Sequence, residues 1–183
     1  MKKTSLALAA VASLGLAAPA MAQNLNYNFV DGRYLDGEVG NTDVDGFGIS
    51  AQALINPNFY VLGGYSSVEP DNGPGDLDVI RAGLGYRHGL AAATDLNGEV
   101  LYLNADAGSN DDSGIELGLG LRHRFTEVFE GKAGVRYVDV FNDDDTFVEV
   151  GGLAHLTPQF AVGIDYTSGD IFDGFSVGGR FNF

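Results

Sequence analysis

The sequence of 183 residues contains no cysteine and no tryptophan, only ten lysines and arginines, and only three histidines. The lack of cysteine excludes a disulfide scaffold and thiolate metal sites. No apolar run long enough for a spanning helix occurs beyond the extreme N-terminus, which excludes a helical membrane protein. This absence does not argue against a membrane β-barrel, because only every second residue of a barrel strand faces lipid.

The first 22 residues have the pattern of a secretory signal peptide. Lys2 and Lys3 form a basic start, Leu6 to Ala18 form an apolar stretch, and residues 20–22 (Ala-Met-Ala) form a small-x-small cleavage site. We therefore expect Sec-type export, a mature chain that begins at Gln23, and one domain over residues 23–183. The alternative is a retained anchor, but the apolar stretch is shorter than a membrane-spanning helix requires.

Positive charge is scarce in the mature chain. Seven arginines and Lys132 stand against 25 carboxylates, a formal net charge of −17 after removal of the signal. Binding of nucleic acid requires a basic face, so a nucleic-acid partner is excluded.

From residue 25 onward, segments of about ten alternating residues are separated by Gly, Asn, Asp or Pro, a pattern typical of β-hairpins. None of the segments shows the 3.6-residue apolar stripe of an amphipathic helix. Ten strands are predicted, with eight as the alternative if the weak first or fifth segment belongs to a loop. The predicted strands run over Leu25 to Leu35, Val44 to Ile55, Phe59 to Val68, Asp78 to His88, Asp95 to Ala105, Gly114 to Phe125, Glu130 to Val140, Phe147 to Leu156, Phe160 to Gly169 and Gly174 to Phe183.

The sixth segment shows the alternation best, because its apolar residues from Ile115 to Phe125 share one parity while Glu116, Arg122 and Arg124 share the other. Alternation alone fits both a soluble β-sandwich and a membrane barrel. Three further features favour the barrel: the layout of the connections, the placement of aromatic residues and the parity of the cations.

The predicted connections alternate between short turns and mostly longer acidic segments, as in a barrel with short periplasmic turns and longer external loops. The acidic segments and their edges contain 17 of the 25 carboxylates. They are Asp36, Glu38, Asp43, Asp45, Glu69, Asp71, Asp76, Asp78, Asp106, Asp111, Asp112, Asp139, Asp143, Asp144, Asp145, Asp170 and Asp173. Both termini are then periplasmic, and the outer rim is strongly anionic.

Aromatic residues cluster near the ends of the predicted strands, whereas the middle outward positions are aliphatic. Two aromatic belts around an aliphatic band match a bilayer and its interfaces. The belt beside the acidic segments contains Tyr34, Phe47, Tyr65, Tyr102, Tyr137, Phe147, Tyr166 and Phe175. The belt beside the short turns contains Tyr27, Phe59, Tyr86, Phe125, Phe129, Phe160 and Phe183.

Cations occupy the parity opposite to the apolar rows, so they are predicted to face the barrel lumen. An Arg or Lys on the lipid face near the midplane costs about 2–4 kcal/mol, which fixes the register. The predicted lumen charge network, in which carboxylates pair with cations, comprises Arg81, Arg122, Arg124, Arg136, Arg180, Glu99, Glu116, Glu149 and Asp165. Arg33 joins it if a bulge in the first strand keeps Tyr27 and Phe29 outside. Leu101 and Leu103 share the parity of Glu99, so the fifth strand contains either a bulge or two inward leucines.

The signal peptide, the hairpins over the whole mature chain and the C-terminal segment resemble the small outer-membrane barrels of Gram-negative bacteria, which are broadly OmpX-like and similar to the OmpA transmembrane domain. In that family the terminal strand is recognised by the barrel-assembly machinery. The resemblance assigns this role to Phe175, Val177, Phe181 and Phe183, although Gly179 departs from the strict apolar pattern. The segments Tyr27 to Tyr34, Asp45 to Gly48 and Asn56 to Tyr65 resemble Ax-type outer-membrane proteins of xanthomonad-like bacteria. Familiar OmpX-like barrels have eight strands, so the predicted ten depart from that pattern.

Residues that could support chemistry are few. Some barrels of this size modify lipid A or cleave peptides, but none of His88, His123 and His155 begins a His-x-Ser pair, and all three lie near the turn ends of their strands. We therefore predict no catalytic residues and no cofactor. Asn41 to Gly46 matches half of a calcium loop, but Gln52 stands where a bidentate Glu is needed, so no metal site is predicted.

The sequence thus predicts a monomeric all-β up-and-down transmembrane barrel in the Gram-negative outer membrane. Its expected role is non-enzymatic: envelope integrity or surface interaction through acidic external loops. The expected partners are outer-membrane lipid and lipopolysaccharide, with divalent cations shared loosely between carboxylates and lipid phosphates. The alternative is a small passive channel past the lumen charges, because the inward glycines either leave a water path or relieve crowding. A lipid A-modifying enzyme is a third possibility.

Overall fold

A computed structural model describes residues 25–71, 75–108, 110–141 and 143–183, and in these segments it contains ten β-strands. The predicted signal peptide and its cleavage site lie outside the described residues. The strands are β1 (Phe29–Val39), β2 (Thr42–Leu54), β3 (Phe59–Pro70), β4 (Leu77–Ala91), β5 (Thr94–Asp106), β6 (Asp111–Arg124), β7 (Phe129–Val140), β8 (Asp143–His155), β9 (Phe160–Ser168) and β10 (Phe172–Asn182). In the described segments no helix has the length and apolarity needed to cross a bilayer.

Each strand pairs antiparallel with its sequence neighbours, and β1 pairs with β10 to close the barrel. The prediction of an all-β up-and-down barrel with ten strands is therefore confirmed, and the eight-stranded alternative is wrong. Closure removes the unpaired strand edges that an open sheet would expose.

Side chains alternate between the outer surface and the lumen along nearly every strand, as the pattern predicts. On β5 and β6, Val100 is 59% exposed and Leu119 54%, whereas the neighbouring Leu101 and Glu116 are only 2% and 3% exposed. Apolar side chains cover the outer surface because this barrel has no second sheet to bury them against. Such a surface is stable only where hydrocarbon replaces water.

The two ends of the barrel differ in charge but not in loop length. One end, called here the turn end, has the connections 55–58, 92–93, 125–128 and 156–159, while the other, called the acidic end, has 40–41, 71–76, 107–110, 141–142 and 169–171. The prediction of longer loops at the acidic end is wrong. The acidic segments continue the strands instead, as in β1 from Asp36 to Val39, which stays paired with both β2 and β10. Backbone hydrogen bonding thus outweighs the weak strand propensity of Asp and Gly.

The outward tyrosines near the acidic end mark an interface between apolar and charged surface. Tyr34 donates a hydrogen bond to Asp45 (3.1 Å), Tyr65 to Asp78 (2.8 Å) and Tyr166 to Asp173 (3.2 Å). In each case the ring faces outward and the phenol oxygen reaches a carboxylate on the next strand. An amphipathic ring of this kind suits the headgroup level of a membrane.

Two predictions about side-chain direction are corrected by the strand register. β1 pairs without a bulge on both sides, so Tyr27 and Phe29 are inside the barrel, 1% and 7% exposed, and not in the outer aromatic belt. Phe147 also faces inward, since it shares the parity of Glu149 and lines the lumen. In β5 the choice between a bulge and inward leucines is settled: pairing with β6 is regular, and Leu101 and Leu103 are both 2% exposed.

Candidate functional site: the barrel lumen

All nine charged residues of the predicted network lie inside the barrel, together with the other three cations of the described segments, Arg33, Arg87 and Lys132. Within the described segments no Lys or Arg lies on the outer surface. Four further carboxyl and imidazole groups that the network prediction lacked complete it: Asp31, Asp95, Glu130 and His155. The parity of Glu130 with Lys132, and of Asp31 with Arg33, was the available signal for two of them.

Near the turn end, one carboxylate holds three partners. Glu130 accepts hydrogen bonds from Arg122 (Nη2 to Oε1 2.6 Å, Nε to Oε1 2.9 Å) and from Arg124 (Nη2 to Oε2 3.0 Å). His155 Nε2 lies 3.3 Å from Glu130 Oε2 and 3.0 Å from Arg124 Nη2. Neighbouring inward positions of β6, β7 and β8 bring these side chains together, and the charges compensate one another away from solvent.

At the middle of the lumen the ion pairs join into one network across six strands. Glu116 lies 3.4 Å from both Arg81 Nη1 and Arg136 Nη1, and Arg136 Nε lies 3.3 Å from Glu149. Lys132 Nζ links Glu149 (2.7 Å) to Asp165 (3.3 Å).

The network continues to β1, where Arg33 Nη1 lies 3.0 Å from Asp165. Arg180 and Asp31 form a bidentate pair at the closing seam, with distances of 3.0 and 2.7 Å, and Asp31 Oδ1 also lies 3.9 Å from Arg33 Nη2. Interlocked pairs of this kind link strands across the lumen and hold the side chains in place.

Glu99 differs from the other carboxylates, because among the described residues it has no cation within ion-pair distance. It accepts a hydrogen bond from the phenol of Tyr60 at 2.6 Å. The predicted pairing of Glu99 with a cation is therefore wrong. The Tyr60 ring is fully buried and fits only because residue 85 is glycine, since a Cβ there would overlap the ring.

Residues 25–28 lie across the turn-end mouth, and we call them the N-terminal plug. The Tyr27 ring stacks on Tyr60 (centroids 5.2 Å apart), and the guanidinium groups of Arg122 and Arg87 lie 4.5 and 4.7 Å from its centroid. Burial raises the pKa of the Tyr27 phenol, so the ring stays neutral beneath these cations.

Hydrogen bonds to several strands hold the plug. Arg122 donates to the carbonyl of Asn26 (3.1 Å), and the amides of Leu54 and Phe183 donate to the side chain and carbonyl of Asn28 (2.8 and 3.0 Å). The side chain of Leu25 is buried against Tyr27 and Tyr60. The turn end is thus narrowed by packed aromatic and cationic groups.

Two cavities lie on either side of the ion-pair network. The smaller, about 240 Å³, faces the turn end and ends at Tyr27, Tyr60 and Arg122. The larger, about 590 Å³, opens toward the acidic end. Arg81, Arg136 and Lys132 line both cavities, so the network lies where the two cavities adjoin.

The three histidines occupy two different environments. His123 faces outward, with Nδ1 2.7 Å from the Thr94 hydroxyl and its ring against Phe125, and His88 is exposed on the outside of β4. His155 is inside and is held by Glu130 and Arg124. In the described part of the chain no group of three or more His, Cys, Asp or Glu side chains is arranged to hold a metal ion.

The C-terminal residues predicted to be recognised during barrel assembly all face outward on or beside β10. Phe175, Val177, Phe181 and Phe183 are each more than two-fifths exposed. Their use by an assembly machinery stays a prediction.

No protein-family model matches the chain, and no curated protein matches it by sequence. Among solved structures, the KdgM porin superposes with a TM-score of 0.54 at 11% identity, over 85% of this chain and 99% of the porin. The KdgM porin in complex with disordered oligogalacturonate gives 0.51 at 11% identity, over 87% and 99% of the two chains. The chain therefore has the fold of an outer-membrane β-barrel. The narrower OmpX-like and Ax-type resemblances stay predictions.

Proposed function

We propose that the chain is a non-enzymatic, monomeric barrel of the Gram-negative outer membrane that acts at the outer surface through its acidic end, and not as an open diffusion pore. Export by the Sec route and insertion by the barrel-assembly machinery would place the acidic end outside. The observation that carries the proposal is the ion-pair network that crosses the lumen, together with the N-terminal plug at the turn-end mouth.

The acidic end supports a surface role because its charge is of one sign. The seventeen carboxylates named in the sequence analysis surround this end, and no Lys or Arg lies among them in the described segments. Divalent cations shared between these carboxylates and lipopolysaccharide phosphates would attach the barrel to the outer leaflet. The outward tyrosines below the carboxylates suit the lipid interface that such attachment requires.

Conductance of the refolded protein in planar bilayers tests the occlusion. We expect electrical silence for the mature chain and ion flow in a variant that combines Tyr27→Ala and Arg122→Ala with Arg136→Ala, since these changes remove the ring and the cation at the turn-end mouth and the cation that joins Glu116 to Glu149 in the network. Tyr86→Ala, which removes an outward ring near the same end, is the matched control and should stay silent. Steady steps in the unaltered protein that change in Arg122→Ala would contradict the proposal.

Complementation in cells tests the surface role. A strain lacking the protein should become sensitive to detergent with a chelator, and the full chain should restore resistance. Asp143→Asn with Asp144→Asn at the acidic end should restore it only in part, whereas Glu127→Gln at the turn end should restore it fully. Equal rescue by both variants would oppose a role for the acidic end.

A passive channel for ions or small solutes is the second candidate. The two cavities along the barrel axis favour it, as does the fold likeness to the KdgM porin. The bilayer experiment above separates it from the surface role. A lipid A-modifying enzyme is the third candidate. Unchanged lipid A after overexpression of the protein would exclude this activity.

A further inference from the structure

The cavity at the acidic end has an unusual wall for the inside of a membrane barrel. Barrel interiors are ordinarily polar, because the apolar residues face lipid. Here the upper lumen is lined by inward apolar side chains from seven strands. They include Leu35, Val79, Leu103, Ala105, Val138 and Phe172. Its volume of about 590 Å³ lies in the range of cavities that hold small organic ligands.

The floor of the cavity is charged, and its cations are more accessible than most of its carboxylates. The side chains of Arg81, Lys132 and Arg136 are 29%, 28% and 25% exposed, whereas those of Glu116 and Asp165 are 4% and 8% exposed. The floor therefore presents guanidinium and ammonium groups to the cavity, with two of the carboxylates behind them.

The cations of the floor outnumber the carboxylates that pair with them, while Asp143 and Asp145 line the cavity nearer its mouth and Glu99 lines the cavity on the other side of the network. Four cations, namely Arg33 and the three above, stand against the three carboxylates that pair with them, Glu116, Glu149 and Asp165. Asp31 also lines the cavity, but Arg180 neutralises it. An anion at this level would accept charge-assisted hydrogen bonds from the floor cations without displacing one of the carboxylates that pair with them.

We propose that this cavity binds a small amphipathic molecule whose anionic head lies on the floor cations and whose hydrocarbon portion lies against the apolar wall. The charge of the floor argues for an anion, and the wall argues for a hydrocarbon body. The site goes beyond the proposed surface role and does not depend on it, because the cavity opens to the acidic end whether or not the turn end conducts.

The acidic end affects how such a ligand enters. Its carboxylates repel an anion at long range, but at physiological ionic strength this repulsion is screened beyond about 8 Å. The rim therefore slows association at low salt. Discrimination between head groups takes place at the floor, where the head group contacts the cations directly.

Methyl NMR of the barrel in lipid nanodiscs tests the site with an internal control. Chemical-shift changes of the inward methyls of Leu103, Ala105 and Val138 report binding in the cavity. Changes of the outward methyls of Val100 and Leu119 report probe that has partitioned into the surrounding lipid. The probes are octanoate, octanol and octyltrimethylammonium. We expect saturable shifts of the inward methyls with octanoate, and binding of octanol weaker by about tenfold, equivalent to about 1.4 kcal/mol.

Two variants separate the wall from the floor. Gly48→Leu places a side chain in the cavity. The nearest atom to its Cβ would be the Tyr65 carbonyl oxygen at 3.5 Å, so the leucine fills the cavity without a steric clash with the backbone. It should abolish the inward shifts, whereas Gly32→Leu, on the outward face of the adjacent strand with nothing within 4 Å, should leave them unchanged. Arg81→Gln leaves Glu116 paired with Arg136. It should weaken the binding of octanoate more than the binding of octanol.

Several outcomes would overturn the proposal. One is a response confined to the outward methyls, or one that does not saturate, because either would mean partition into lipid. Another is equal binding of the three probes, since the floor would then not select an anion. A third is persistence of the inward shifts in Gly48→Leu with the barrel folded, as judged by its retained methyl spectrum.

Discussion

Arg180 on β10 and Asp31 on β1 are 149 residues apart in sequence and form a bidentate ion pair, with Nε to Oδ1 at 3.0 Å and Nη2 to Oδ2 at 2.7 Å. The pair bridges the seam at which the last strand meets the first and closes the sheet. The Arg180 guanidinium also lies 3.6 Å from the centroid of Phe29 on β1. Closure of the barrel thus combines backbone pairing with a buried charge contact.

Asp31→Asn should destabilise the barrel by about 3–5 kcal/mol, because it leaves Arg180 buried without its charge partner. The measurement is the free energy of unfolding in guanidinium with the protein in lipid vesicles. Asp36→Asn removes the same group from an exposed position of the same strand and should change stability by no more than about 0.5 kcal/mol. Equal effects of the two variants would contradict a specific role for the seam pair.

Glu130→Gln should have an effect of similar size, about 3–5 kcal/mol, since Arg122, Arg124 and His155 all depend on this carboxylate. Glu127→Gln, in the exposed turn just before β7, is the matched control and should be neutral. Unfolding midpoints in vesicles measure both. A neutral Glu130→Gln would mean that the arginines find other partners and that the cluster is not a structural unit.

Tyr60→Phe should cost about 1–3 kcal/mol, because it keeps the ring but leaves the buried Glu99 carboxyl without its hydrogen-bond donor. Tyr86→Phe alters an outward ring and should be close to neutral. Gly85→Ala tests the same site by crowding, since its Cβ would overlap the Tyr60 ring, and a loss of about 1–3 kcal/mol is expected. Full stability of Gly85→Ala would show that the Tyr60 ring can lie elsewhere.

Leu119→Arg should destabilise the membrane-embedded barrel by about 2–4 kcal/mol, because Leu119 faces outward in the middle of β6. Leu119→Ile keeps the apolar volume and should have a small effect. The comparison is made in vesicles by reversible unfolding. Tolerance of the arginine would contradict contact between this face and hydrocarbon.

Side-chain direction was largely predictable wherever a strand is unbroken. Arg122 and Arg136 were placed correctly because the apolar residues beside them fix the parity of the whole strand. Tyr27 and Phe29 were misplaced because aromatic rings were assigned to the membrane interfaces. Inside this barrel the two rings pack against guanidinium groups, and this preference becomes visible only when distant cations are brought near.

Partners across strands were less predictable than direction. The pairing of Asp31 with Arg180 depends on the register of the closing strands, and no local pattern in the sequence reports it. The acidic segments were predicted as loops because Asp, Asn and Gly favour turns. The structure keeps them paired up to residues 40 and 141, where Gly40 and Phe141 adopt positive φ angles of 64° and 58° to reverse the chain.

The inward placement of every Lys and Arg in the described segments has a consequence for proteolysis. Trypsin cleaves only after these residues, and across the described segments each of them lies in the lumen or at its turn-end mouth, on a strand paired on both sides. The folded barrel should therefore survive trypsin intact in detergent micelles, where no bilayer shields it. The fraction of protein that trypsin digests therefore measures the fraction of molecules whose barrel has opened.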